Sequence, residues 1–247
     1  MLSKLFSAPS KTASVPEGQR IYAIGDVHGR RDLLDAMLEK IAEDAAGAET
    51  PHMIVMLGDY VDRGPDSRGV VDRLIALREE APGTRFLVGN HEDAMIQFML
   101  KPEANYHWLD WGGIETAESY GVRDAGLRQP RAVRDALLEK LSKDHMAFLD
   151  GLELTFAAGD YFFVHAGVRP GVPLEEQARE DMLWIRDLFL NAPKNQRPNK
   201  VVVHGHTPID KPADKGWRIN VDTGAGWGKA LTCVVLEDTT RRFISVS

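Results

Sequence analysis

The chain has 247 residues, a hydrophobic fraction of 43% and one cysteine, which suits one large globular domain that needs no disulfide or structural metal to fold. A formal net charge of −7, from 30 basic against 37 acidic residues, argues against a nucleic-acid-coating surface. No stretch of about 18 apolar residues occurs, so neither a spanning helix nor a membrane partner is expected.

Residues 1–6 lack the apolar core of a signal peptide, and residues 7–19, rich in Ser, Ala, Pro and Lys, read as a mobile tail. Residues 1–19 are therefore set apart from one catalytic domain over 20–247. Ile21-Tyr22-Ala23-Ile24 is the first expected strand. Leu33, Leu34, Met37, Leu38 and Ile41 then recur at helical spacing, with Asp32 as the expected N-cap. Residues 53–57 form a second strand, and Val70, Val71, Leu74, Ile75 and Leu77 a second helix stopped near Pro82-Gly83. Residues 85–88 make a third strand, and Ala94, Met95, Phe98 and Met99 open a third helix. Crossovers of this length imply adjacent parallel strands.

Residues 101–150 change character and read as a mostly helical insertion, with Trp108 and Trp111 as packing aromatics. Strand patterns return at 161–164, 201–203, 218–221, 232–236 and 242–246. Cys233 lies within one of these apolar runs and reads as a small core residue; a lone cysteine fits a reducing cytoplasm. Parallel units, a helical insert and late strands predict an α/β sandwich of sheets flanked by helices.

Most of these strands end in a polar cluster. The clusters are Gly25-Asp26-Val27-His28-Gly29, Gly58-Asp59-Tyr60-Val61-Asp62-Arg63-Gly64, Gly89-Asn90-His91-Glu92, His165-Ala166-Gly167, His204-Gly205-His206-Thr207 and Asp222-Thr223-Gly224. Carboxyl ends of neighbouring parallel strands converge on one crevice, so five of the eight histidines are expected at one edge. The donors are carboxylate, imidazole and amide without thiolate, which suits Mn²⁺, Fe or Zn²⁺ in a catalytic role. Asp59, on the middle strand of three, is the natural ligand to bridge two metals.

The first three clusters, in this order and about thirty residues apart, resemble the phosphoprotein phosphatase (PPP) family of calcineurin-like metallophosphoesterases, in its compact bacterial and phage-type form. His165-Ala166-Gly167 and Gly205-His206-Thr207 resemble two further motifs of that family, and the resemblance covers roughly residues 20–236. It implies the calcineurin-like fold, a central β-sandwich of mixed sheets with flanking helices. It implies two divalent metals, first of all Mn, with Asp26 and His28 on one, Asp59 bridging, and Asn90, His165 and His206 on the other. His91 would be the general acid, Asp62 its orienting partner, and Arg63 and Arg186 the phosphate-binding arginines. The implied reaction is serine/threonine phosphoprotein hydrolysis by in-line attack of a hydroxide shared between the metals.

The alternative on the same core is a dinucleoside polyphosphate hydrolase, since residues 222–233 also resemble those enzymes. Asp62 and Glu92 weigh toward the phosphoprotein, because the dinucleotide enzymes typically differ at both positions. A non-enzymatic phosphate-binding scaffold would need a missing ligand or acid, and none is missing. His204 is assigned to packing or support and not to a metal, and Asp222 to supporting a ligand or turn. His107, near Gly112-Gly113, resembles a segment of the phage-type members. His52 and His145 are read as solvent-exposed, and Glu92 as starting or capping the following helix. No oligomeric state is read from the sequence.

Overall fold

Strand β1 (Arg20–Ile24) feeds helix α1 (Arg31–Ala45), then β2 (His52–Met56), α2 (Ser67–Glu80), the short β3 (Arg85–Phe86) and α3 (Asn90–Leu100). This is a computed structural model, and it describes residues 12–47, 50–123 and 129–247. β1, β2 and β3 are adjacent and parallel, with Ile24 opposite Met56 and Met56 opposite Phe86, as the crossover lengths predict. Leu33, Leu34, Met37 and Ile41 form the buried stripe of α1, matching the helical spacing. The predicted cap differs: Arg30 occupies the N-cap position, while Asp32 lies in the first turn and pairs with the Arg30 guanidinium at 2.6 Å. α3 begins four residues before Ala94, so Asn90 and His91 sit at its amino end.

The insertion is helical, as expected. A π-helical turn at Leu109–Gly113 leads into α4 (Ile114–Ser119), followed by α5 (Pro130–Lys140) and α6 (Lys143–Asp150). Beyond it come β4 (Thr155–Ala158), β5 (Tyr161–Val164), α7 (Arg179–Trp184), α8 (Asp187–Leu190), β6 (Val201–His204), β7 (Ala213–Asp214) and β8 (Arg218–Asn220). The chain ends in β9 (Leu231–Glu237) and β10 (Thr240–Val246).

Two five-stranded mixed sheets result, ordered β10-β9-β1-β2-β3 and β4-β5-β6-β8-β7. β9 returns antiparallel to β1, whereas β5, β6 and β8 are mutually parallel. The inner faces meet in one core, to which Ile21, Val55 and Val234 contribute from the first sheet and Phe163, Val203 and Ile219 from the second. Truncating such a side chain, as in Phe163→Ala, costs about 3–5 kcal/mol. A second core lies under α1, α2, α3 and the insertion, and a third under α7 and α8. This is the sandwich with flanking helices that the order of elements predicts.

Part of the predicted tail is ordered. Residues 1–11 lie outside the described residues, but Val15 is buried and its N–H donates to the Asp238 carbonyl at 3.1 Å. Ser14 N–H donates to the Asp160 carboxylate at 3.0 Å, so the chain is anchored on the second sheet before β1 begins. No helix among the described residues is long and apolar enough to cross a membrane.

Candidate metal centre

The carboxyl ends of the two parallel strand trios meet at one edge of the sandwich. The His165 ring donates Nδ1–H to the Leu57 carbonyl at 2.9 Å, and the His206 backbone N–H donates to the Asp26 carboxylate at 3.0 Å. Backbones approach so closely that a Cβ at Gly25 would lie 2.6 Å from the Val221 carbonyl oxygen; only glycine fits there.

Two ligand groups overlap at this edge. His28, Asp59 and His91 bring ligand-competent atoms within 4.8 Å of one another, and so do Asp59, His165 and His206. Asp59 belongs to both. Its Oδ2 lies 3.4 Å from His28 Nε2 and its Oδ1 lies 3.3 Å from His165 Nε2, so its two oxygens face different groups. Asn90 Oδ1 joins the second group, 2.9 Å from His165 Nε2 and 2.7 Å from His206 Nδ1. Asp26 is buried behind the His206 backbone, and His91 stands in the ligand group of His28. All six expected ligands are therefore buried at one place. His28 donates Nδ1–H to the Val61 carbonyl at 2.9 Å, which frees Nε2 to act as a base or ligand.

The electrostatics suit a cation. Burial, together with the neighbouring Asp222, holds the Asp26 carboxyl well above its ordinary range. Burial also pushes Asp59 upward, but the surrounding His165 and His91 rings outweigh it and hold Asp59 anionic. Burial lowers the His28 imidazole to about 3 and keeps it neutral, the protonation state that ligates metal. His165 resists burial because Asp59 holds its pKa up to about 9. Buried carboxylates, the His28 and His206 imidazoles that burial keeps neutral, and an amide oxygen match the donor set of a two-cation site. His206 Nε2, buried without a hydrogen-bond partner, is a further donor in this cluster.

Around the ligands lies a hydrogen-bonded acid pair. His91 Nδ1 contacts Asp62 Oδ2 at 2.6 Å, with both groups buried. Burial alone would lower the His91 pKa, but Asp59 and Asp62 outweigh it and raise it. Asp62 is further held by Trp108 Nε1–H at 2.9 Å and the Thr116 hydroxyl at 2.7 Å. Trp108 is therefore more than the packing aromatic expected from sequence. A fully buried indole N–H needs an acceptor, and that requirement was the available signal.

Arg63 presents its guanidinium to His28 Nε2 and, at 2.8 Å, to His91 Nε2, and stacks 4.8 Å over the Trp227 indole. Arg186 is exposed, and its Nη1–H donates to the His206 carbonyl at 3.1 Å, so it borders the second ligand group. Five of the six non-glycine residues with positive φ among the described residues lie here: His28, Asp59, Asp62, Arg63 and His206. Such left-handed conformations cost up to about 1–3 kcal/mol each and concentrate at working sites.

Other expectations divide. His204 is buried against Phe189 at 5.1 Å and donates to the Gly205 carbonyl, which agrees with a packing role. Asp222 supports a turn by accepting the Gly224 N–H at 3.0 Å. His52 is exposed, but His145 is buried between the Tyr120 hydroxyl and Asp72, each at 2.8 Å. The exposed reading of His145 fails because its two partners are supplied by distant helices. Glu92 does sit in the first turn of α3, yet its larger role is elsewhere. Its carboxylate accepts the backbone N–H groups of Asp59, Tyr60, Val61 and Gly89 at 2.7–3.1 Å.

The sequence profile of calcineurin-like phosphoesterases matches residues 19–235. The chain belongs to the calcineurin-like phosphoesterase family. A relative from Geobacillus thermodenitrificans, described as the asymmetrical bis(5'-nucleosyl)-tetraphosphatase PrpE, is 24% identical over 235 residues, covering 88% of this chain and 90% of its own. The Saccharomyces cerevisiae zinc-dependent endopolyphosphatase is 24% identical over 208 residues, covering 77% of this chain and 62% of its own. A solved structure described as a candidate diadenosine tetraphosphatase superposes with a TM-score of 0.60 at 20% identity, over 97% of this chain and 96% of that one. As a calcineurin-like phosphoesterase the chain is a hydrolase of the metallophosphoesterase family. The relatives' descriptions name nucleotide tetraphosphates and polyphosphate, not the phosphoproteins that the sequence favoured.

Proposed function

We propose that this calcineurin-like phosphoesterase hydrolyses dinucleoside polyphosphates such as diadenosine tetraphosphate. The observation that carries the reading is a groove of about 460 Å³ lined by Arg63, Trp111, Gly112, Gly226 and Trp227, with Asp110 and Glu115 also on its wall. Trp111 and Trp227 are 43% and 62% exposed, unusual for indoles, while Arg63 joins the groove to the ligand groups. Exposed indoles beside a guanidinium suit a base linked to a phosphate chain, because base stacking is sequence-tolerant and Arg pairs phosphate in a fork. The PrpE relative, matched over nearly its whole length, supports the same substrate class.

In this reading Asp26 and His28 would hold one divalent cation, Asp59 would serve both, and Asn90, His165 and His206 would hold the second. The cations would supply an activated nucleophile and polarisation of the phosphoryl group. The donor set admits Mn, Fe or Zn, and the zinc-dependent relative keeps Zn beside Mn as a leading choice. Arg63 and Arg186 bind phosphoryl oxygens from two sides of the ligand groups. Asp62 accepts from His91 Nδ1, which leaves Nε2, facing Arg63 at 2.8 Å, as the nitrogen that would carry and release a proton when the ring is protonated. His91 thereby serves as the general acid for the leaving group.

A second reading, hydrolysis of serine or threonine phosphomonoesters, is favoured by that same buried acid pair. An alkoxide leaving group needs protonation more than a phosphate does. Specificity constants for diadenosine tetraphosphate and a phosphothreonine peptide, each measured with Mn²⁺ and with Zn²⁺, separate the two. The proposal expects the dinucleotide to lead by about tenfold or more, the scale of one base stacking contact. A lead for the peptide overturns it.

A further inference from the structure

We propose that the helical insertion positions the general acid, with Trp108 and Thr116 fixing the Asp62 carboxylate that in turn aims His91 at the leaving group. The inference rests on the assignment of His91 as the acid. It holds for either substrate class, because the contacts concern the leaving group and not the base or peptide attached to it.

The observations are specific to the carboxylate. Asp62 is 0% exposed, and each of its oxygens is held by the insertion. Oδ2 accepts from the Trp108 indole at 2.9 Å while contacting His91 Nδ1 at 2.6 Å, and Oδ1 accepts from the Thr116 hydroxyl at 2.7 Å. The Asp62 backbone N–H donates to the Thr116 hydroxyl at 2.8 Å and to Ser67 Oγ at 3.0 Å. Thr116 thus grips both the main chain and the side chain of one residue. The carboxylate comes from the loop after β2, its imidazole partner from α3, and both donors from the insertion. Three separate chain segments must dock for the pair to be aligned.

The docking itself is built into the backbone. Gly112, at φ +113°, accepts the Arg63 N–H at its carbonyl oxygen over 3.3 Å, and a Cβ there would run into that same backbone nitrogen. The insertion therefore seats directly on the Asp62-Arg63 turn, whose two residues have positive φ. Packing alone would need only a large apolar ring at Trp108, which contacts Phe98 at a centroid distance of 4.8 Å. A phenyl ring meets that need without an N–H. The indole adds a donor to an anion, and removing it leaves Asp62 free to turn away from His91.

The test uses the full chain loaded with Mn²⁺ and compares Trp108→Phe, Thr116→Val and Thr116→Ser with His91→Asn. Phenyl phosphate has a poor leaving group that needs an acid; dinitrophenyl phosphate has a good one that needs it far less. Trp108→Phe and Thr116→Val are each expected to lose about tenfold in kcat/KM on phenyl phosphate and several-fold less on dinitrophenyl phosphate. Thr116→Ser, which keeps the hydroxyl, should restore most of the loss. Thr116→Val addresses the other Asp62 oxygen, which keeps the inference testable if Trp108→Phe fails to fold. A second readout needs no turnover: the downfield proton resonance of the His91–Asp62 hydrogen bond should move in both variants of the metal-free protein. Equal losses on the two esters, or an unmoved resonance, overturn the inference. If His91→Asn itself shows no leaving-group dependence, the assignment of the acid fails instead, and the two failures are distinguishable.

Discussion

Glu92 binds the backbone of the residue that both ligand groups share: its carboxylate accepts the Asp59 N–H at 2.9 Å and those of Tyr60 and Val61 at 2.7 and 3.1 Å. The turn it holds places Asp59 at φ +54°, a conformation the loop would not keep by itself. The contact explains why a carboxylate stands where a helix-capping role alone was expected.

Glu92→Gln keeps the shape but has only one oxygen to accept, and its amide N–H₂ would face a backbone donor. Leaving buried N–H groups unpaired costs about 1–3 kcal/mol each, so a loss of roughly 2–4 kcal/mol is expected. Urea unfolding of the metal-free protein checks this without interference from ligand binding. A variant within about 0.5 kcal/mol of the parent would show that the turn is held by other contacts.

The choice between the two histidines after β6 yields a second prediction. His206 is directed toward Asn90 Oδ1 at 2.7 Å, whereas His204 packs edge-on to Phe189 and burial lowers its imidazole to about 3. His206→Gln should therefore lower the bound divalent metal by about half, the share of one cation in a two-metal site. His204→Gln should leave metal content intact and lower thermal stability instead. Elemental analysis after Mn²⁺ loading and gel filtration distinguishes them, and a metal loss confined to His204→Gln would reverse the assignment.

The strand-end clusters were legible because the chemistry there is local. Asp26, Asp59 and Asn90 each follow an apolar run by one or two residues, and parallel pairing then brings them together. The burial of His145 was not legible, since its partners Asp72 and Tyr120 lie 73 and 25 residues away in sequence. Trp108 and Thr116 were hidden for the same reason: a helix-forming segment gives no sign of which distant carboxylate its N–H or hydroxyl will meet. β7, with two residues, is too short to leave a period, and β4 has only its second sheet edge to define it. The fate of Ser14 and Val15 followed from tertiary partners, Asp160 between β4 and β5 and Asp238 between β9 and β10, against a composition typical of tails.

The two groove tryptophans should separate substrate binding from the chemical step. Trp227 stacks on the Arg63 guanidinium, and Trp111 lines the same groove. Trp227→Ala and Trp111→Ala are each expected to raise KM for diadenosine tetraphosphate by about tenfold, the scale of one stacking contact. On a small aryl phosphate, which offers no nucleobase, the Trp111→Ala change should be several-fold smaller. Steady-state kinetics on both substrates check this. Equal effects on the two substrates would remove the indoles from base recognition.

Far from the ligands, Asp44 links three segments, and its titration gives the acid behaviour of the sheet edge. It accepts the Tyr22 hydroxyl at 2.6 Å, pairs with Arg242 of β10, and lies 3.7 Å from Arg20 of β1. The Arg242 guanidinium, bonded directly to it, holds the folded carboxyl below its usual range despite partial burial. A carboxyl with a folded pKa below the unfolded value of about 3.9 stabilises the protein above that value. That contribution disappears as pH falls through the folded pKa, because both states then bind the proton. Asp44→Asn removes the charge at every pH, so it should destabilise near neutrality by about 0.5–1 kcal/mol, the pair being partly solvent-screened. The difference from the parent should then shrink below about pH 4 and vanish at lower pH. Urea unfolding of both proteins across an acid series measures that difference directly, and a gap that stays constant or widens on acidification would show that Asp44 acts there by shape and not by charge.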